Sequence, residues 1–191
     1  MPTRTLHVVR HGRADPLGHL TEEGRAQCRA LGLRLAAEPL DVVWHSPLAR
    51  AVDSAAELAE GRPGLLVDEA PELIDAVPFV PDLDALSPRG AAFFDGIDDA
   101  EAAGGRRLAG QLAARFLSPL PPGARSTEEV LVTHAFQVSW LVREALGAPP
   151  ESWMSLGRIE NTALTTIVLE QDEPPMILCV NDRSHLRGGT P

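Results

Sequence analysis

Apolar positions along the chain follow two rhythms. Short continuous runs rich in β-branched residues read as strands. They are Leu6-His7-Val8-Val9, Asp41-Val42-Val43-Trp44-His45, Leu65-Leu66-Val67, Val130-Leu131-Val132 within residues 128–133, and residues 164–169 and 176–180. Between them, apolar residues recur at spacings of three and four, the mark of a helix with one buried face. Cys28, Leu31 and Leu35 form one such stripe, Val52, Ala55, Ala56 and Ala59 a second, and Val138, Leu141, Val142, Ala145 and Leu146 another. Thr21, followed by Glu22 and Glu23, is a helix start, because a side-chain oxygen caps the free amides and the dipole favours acids in the first turn. Pro39 is expected to end that helix. Ser46-Pro47 reads as the start of the next, which Gly61 closes, and Gly147 stops the helix after residue 134. Asp172-Glu173-Pro174-Pro175 is a turn, so the last two strands are expected to form an antiparallel hairpin at one edge. The tail from about Arg187 is expected to be loosely held.

Strand and helix alternate, which predicts an α/β fold of three α/β/α layers. The sheet is mostly parallel, with right-handed crossovers and helices on both faces. Residues 69–125 break the alternation. Pro71, Pro78, Pro81, Pro88, Pro119 and Pro122 punctuate them, and the spacing of Leu108, Leu112 and Phe116 predicts one helix over 106–117. This stretch is read as an insertion over the carboxyl end of the sheet, inside a single domain spanning residues 1–191.

Composition narrows the function classes. The net charge is −10, from 27 acids against 17 bases, with no basic run, so a nucleic-acid partner is not expected. No apolar stretch approaches the roughly 20 residues of a membrane span, and the start shows no signal pattern. Cys28 and Cys179 lie far apart and form no metal-ligand spacing. A cytoplasmic location is expected, and the oligomeric state is open.

Three predicted strand ends carry reactive side chains. The first strand stops in Arg10-His11-Gly12, the helix after Ser46-Pro47 carries Arg50 in its first turn, and residues 128–133 run into His134. In a parallel sheet these ends share one edge, where α/β folds bind ligands. Arginine offers a planar fork for phosphate oxygens, and a neutral imidazole can carry a phosphoryl group covalently. Gly12 is expected to allow a sharp turn and leave room for an approaching group.

Val9-Arg10-His11-Gly12, Leu20-Thr21-Glu22-Glu23-Gly24-Arg25, Ser46-Pro47-Leu48-Ala49-Arg50-Ala51 and Val132-Thr133-His134 together resemble the histidine phosphatase superfamily, also called the phosphoglycerate mutase-like family. The resemblance implies that His11 is the nucleophile that becomes phosphohistidine, its other ring nitrogen held by a hydrogen bond. It places Arg10, Arg50 and His134 around the transferring phosphoryl group and requires no metal or other cofactor. Many relatives use a glutamate after the third strand as general acid, with a glycine and a tryptophan soon after it. That pattern is absent here, and Glu72 and Asp75 are both candidates. Ser54 stands where a threonine is usual. The segment Arg13 to His19 is short beside the corresponding part of the glycolytic mutases, which favours the compact phosphatase branch. The expected activity is therefore hydrolysis of phosphomonoesters or phosphohistidine, on a phosphorylated small molecule or phosphoprotein. A phosphoglycerate mutase-type transfer and a non-catalytic binder of a phosphorylated partner are the alternatives. Within the insertion, Phe79, Phe93 and Phe94 are candidates to line an apolar pocket, or else local core. Arg89, Arg106 and Arg107 are candidates for a second anion, or else solvated.

Overall fold

The computed structural model describes residues 1–186, and the expectation for the tail from Arg187 lies outside the described residues. Six strands form one sheet: β1 (Thr3–Arg10), β2 (Val42–His45), β3 (Leu66–Glu69), β4 (Thr127–Thr133), β5 (Leu164–Glu170) and β6 (Met176–Asp182), in the order β3-β2-β4-β1-β5-β6. β1 to β4 run parallel, whereas β5 is antiparallel to both β1 and β6, which makes the expected hairpin at one edge.

Alternation along the strands sorts the core into two faces. Leu6, Val8, Leu131, Ile167 and Leu169 face the layer of α4 (Asp99–Phe116) and α5 (Ala135–Ala145). Val9, Val43, Val130, Val132 and Leu164 face α1 (Glu22–Arg34) and α2 (Ala49–Ala59). Helices therefore cover both faces, as the pattern predicts. Among the described residues no helix is long and apolar enough to cross a membrane.

Local chemistry explains most boundaries and several departures. The Thr21 hydroxyl accepts the Gly24 amide and caps α1 as expected, but the helix ends at Leu35, before Pro39 is reached. Leu48 rather than Ser46 stands at the cap position of α2, without a side-chain bond, and the Ser46 hydroxyl accepts the Leu48 amide while also meeting His134. The buried face of α2 is Ala51, Ser54, Ala55 and Leu58, so Val52 and Ala56 point outward. Leu58 is the bulky anchor that sets this register, and Val52 is too isolated to compete with it. Leu146, placed in the α5 stripe by spacing, caps the helix and lies 65% exposed.

The insertion begins over the carboxyl end of the sheet. The Ala70 amide donates to His45 O at 2.9 Å, Thr133 Oγ1 to Leu73 O at 2.7 Å, and Gln137 Nε2 to Ala76 O at 2.8 Å. After a short helix, α3 (Pro88–Ala92), the chain enters α4, which starts earlier than expected because Asp98 accepts the Glu101 amide and caps it. The Gly104-Gly105 pair, which weakens a helix prediction, lies inside it. Gly105 is buried where a methyl group would overlap the Val77 carbonyl oxygen. Gly105→Ala is thus expected to destabilise the protein by about 1–3 kcal/mol through overpacking, despite alanine's better helix propensity. Thermal unfolding checks this, and an unchanged or raised Tm would contradict the close contact.

Candidate active site

The parallel order β2-β4-β1 brings three strand ends side by side, and backbone bonds carry the ladder past them. The His11 amide donates to Thr133 O at 2.9 Å and the Ser46 amide to Val132 O at 3.0 Å. His11, Ser46 and His134 are thereby fixed along one edge. The His11 and His134 rings lie 5.1 Å apart between centroids, 6% and 1% exposed as residues.

Gly12 serves packing here rather than an incoming group. A Cβ would lie 2.7 Å from Gly24 O and 2.9 Å from Cys28 Sγ, so α1 occupies the space that a side chain would need. Its amide donates to Ser54 Oγ at 2.9 Å, and that hydroxyl donates to Arg50 O at 2.6 Å. Ser54 therefore ties α2, and Arg50 on it, to the His11 loop.

The hydrogen bonds decide the state of each imidazole. His11 Nδ1 lies 2.7 Å from Gly12 O, which can only accept, so Nδ1 carries the proton and Nε2 the lone pair. Arg50 Nε–H donates to that lone pair at 3.1 Å. His134 Nε2 lies 2.8 Å from Ser46 Oγ, which already accepts the Leu48 amide at 3.3 Å. The Asp75 carboxylate, 3.7 Å from Nδ1, favours the ring proton on that nitrogen, and the hydroxyl then donates to Nε2. Burial, and beyond it the cationic Arg10 and Arg50, pushes the His11 pKa down to about 4, with the Gly12 carbonyl opposing. Burial, then His11 and the same arginines, pushes His134 down to about 2. Both rings are neutral at physiological pH.

Asp75 and Glu72 part company in the structure. Asp75 Oδ2 accepts from Arg50 Nη2 at 2.9 Å and lies 3.7 Å from His134 Nδ1. Burial raises its pKa, with Arg50 and Arg10 pulling the other way. Glu72 instead accepts from Arg115 at 2.8 Å, an arginine stacked over Trp44 on the α4 face, and it does not line the cavity.

Arg10 Nη1 donates to Ile159 O at 2.7 Å, while its Nε is buried without a partner. His134 Nδ1 is a second buried donor in the same condition. Two such donors beside a histidine lone pair make a site complementary to an anion with several oxygens. It opens into a cavity of about 590 Å³ lined by Arg10, His11, Arg50 and Asp75, with Arg13, Arg158 and Arg183 further out. Asp15, Glu23 and Glu160 line it as well; Arg13 pairs with Glu23 at 2.8 Å, and Arg158 and Arg183 with Glu160 at 3.6 and 3.7 Å. Arg89, Arg106 and Arg107 do not line this cavity, and Arg106 lies over the Phe79 ring.

Residues before β5 complete the site. Asn161 Nδ2 donates to His11 O at 2.8 Å and the Thr162 amide to Arg10 O at 2.9 Å. Thr162 holds φ at 53°, a costly value for a β-branched residue, stabilised by that bond and by full burial. Sequence spacing gives no signal for Asn161 or Arg158, which sit in a loop without periodicity.

A sequence profile of the histidine phosphatase superfamily (branch 1) matches residues 6–77, which carry His11, Arg50 and Asp75. A mycobacterial glucosyl-3-phosphoglycerate phosphatase, solved with VO3, superposes over 94% of this chain and all of its own (100%), with a TM-score of 0.65 and 26% identity. Over residues 6–77 the chain is similar to the histidine phosphatase superfamily. The α-ribazole phosphatase of Shigella flexneri shares the fold at a TM-score of 0.71 and 20% identity, over 93% of this chain and 96% of its own. In sequence the chain is similar to the mitochondrial serine/threonine-protein phosphatase Pgam5 of Caenorhabditis briggsae, 29% identical over 96% of this chain and 65% of the relative. Across the Pgam5 relatives it spans between 58% and 65% of their length.

The depressed imidazole pKa values make stability depend on pH. In the unfolded chain each histidine takes up a proton below about pH 6.5, while in the fold His11 stays neutral to about 4 and His134 to about 2. The unfolded state then binds more protons, so stability falls as pH drops from 6.5 towards 4; above 6.5 neither ring contributes. Wild-type Tm is expected to fall more steeply over that window than the Tm of His134→Asn. Equal slopes would contradict the neutral, buried His134.

Proposed function

We propose that this protein hydrolyses phosphate monoesters by way of a phosphohistidine at His11. In the first half-reaction the Nε2 lone pair forms a bond to phosphorus and the phosphorus–oxygen bond to the alcohol breaks. The Asp75 carboxyl supplies the proton that the departing oxygen needs. In the second, water attacks phosphorus, Asp75 takes its proton, and the nitrogen–phosphorus bond breaks to release phosphate and restore Nε2. Arg10, Arg50 and His134 Nδ1–H hold the equatorial oxygens, where negative charge gathers in the transition state. Arg50 Nε must leave Nε2 for a phosphoryl oxygen as substrate enters, since one lone pair cannot serve both.

The observation that carries this reading is the pair of unpartnered buried donors, Arg10 Nε and His134 Nδ1, flanking a histidine with its lone pair turned towards them. Hydrolysis rather than phosphate return is supported by the short segment Arg13 to His19 and by relatives described as phosphatases. The substrate class is a phosphorylated small molecule or phosphoprotein.

Purified protein with para-nitrophenyl phosphate and a chelator tests the reading. Steady turnover is expected, reduced at least about 10³-fold in His11→Ala, as for loss of a covalent nucleophile. Wild-type rates in folded His11→Ala would overturn it.

A further inference from the structure

A second cavity, of about 260 Å³, adjoins the phosphate site and shares Arg10 and Arg158 with it. Its other walls come from three separate segments. Phe93 closes α3, Phe136 sits in the first turn of α5 just after His134, and Trp153 and Met154 come from a short helical stretch, Pro150–Leu156. The rings meet edge to face: Phe93 and Phe136 centroids lie 5.7 Å apart, Phe136 and Trp153 5.3 Å. Trp153 is anchored by its Nε1–H to Phe79 O at 3.0 Å. Phe93 nevertheless remains 47% exposed and Met154 36% exposed. Phe94, beside Phe93 in sequence, is buried core at 3% exposure, so the fold had a choice at this turn and left one ring open.

Ser139 and the two arginines are the polar side chains of the lining; the rest is aromatic, thioether and aliphatic, and such walls reward an apolar group over a hydroxyl-rich one. A cavity of roughly 150 Å³ holds benzene, so this one has room for a substituted or fused ring. Arg10 lines both cavities, and its Nη1 is fixed to Ile159 O on the wall of this one. A molecule whose phosphate is held by Arg10 therefore has this cavity within reach of its alcohol half.

We propose that this cavity is the subsite for an apolar, ring-bearing alcohol portion of a small-molecule phosphate monoester. The inference rests on the phosphatase reading above and narrows its substrate class. Esters of sugars and glycerol would leave the cavity unfilled.

Ethyl phosphate and phenethyl phosphate test it, because their alcohols are of nearly equal acidity and differ by one phenyl group. Wild-type kcat/KM is expected to favour phenethyl phosphate by about tenfold or more, the usual reward for an added apolar group in a fitted pocket. In Phe93→Ser, an exposed position whose change spares the core, the ratio falls towards one, and Phe136→Ser gives the same fall. Equal kcat/KM for the two esters in wild type, or a preference that survives both substitutions, overturns the subsite while leaving the phosphatase reading intact. If neither ester is turned over, titration calorimetry on His11→Ala decides. Phenethyl phosphate binding about tenfold tighter than ethyl phosphate upholds the subsite without the chemistry, and equal affinity sinks it.

Discussion

Arg50→Ala is expected to lower kcat/KM for phosphate monoesters by about 10³-fold, the scale of removing a cationic clamp from a phosphoryl transition state. Two contacts underlie the size of the effect. Arg50 Nε–H reaches His11 Nε2 at 3.1 Å, and Nη2 reaches Asp75 at 2.9 Å. One side chain thus stands between the proposed nucleophile and the proposed acid, where a phosphoryl group would pass. Arg50→Lys is expected to recover little, because an ammonium cannot span both partners in a fixed plane. The fold is not at stake, since Arg50 is anchored to the core through its backbone carbonyl and Ser54. Steady-state kinetics with circular dichroism as a fold control checks this, and a loss under about tenfold would remove Arg50 from the transition state.

Asp75→Asn is the second large effect, and its signature is selectivity by leaving group. An alkyl phosphate expels a strongly basic oxygen, so losing the proton donor is expected to cost about 10²–10⁴-fold in kcat. Para-nitrophenol leaves readily as its anion, and its ester is expected to lose less than about tenfold. Asp75 is the proposed donor because it lines the cavity and accepts from Arg50, with burial raising its pKa, while Glu72 is paired with Arg115 away from the cavity. Equal losses on both esters would make Asp75 a partner that orients Arg50. A leaving-group-dependent loss in Glu72→Gln instead would move the acid to Glu72.

The strand and helix order was legible because each strand is a compact apolar run and each helix carries a stripe. Arg10, His11, Arg50 and His134 followed from that order, since a parallel sheet puts every such junction on one edge. The choice between Glu72 and Asp75 was not legible. They sit three residues apart in a stretch held by the Thr133, Gln137 and Gly105 contacts, all distant in sequence. The first half of α4 was hidden for a related reason, because the glycine that lets Val77 approach also lowers helix propensity. Serine before proline signals a helix cap, and the Ser46 hydroxyl does accept the Leu48 amide. Its shorter contact is with His134, which only strand pairing brings within reach. Arg158 and Asn161 lie in a loop whose position is set by β5 pairing with β1, which no local pattern announces.

The proposed route takes phosphate through His11. Mixing the protein with a phosphate monoester, quenching in alkali within a turnover and locating phosphate by peptide mass spectrometry tests it most directly. An acid-labile phosphate on His11, lost in His11→Ala, is the expected result. Turnover with no phosphate on the protein, or with phosphate on another residue, would contradict it.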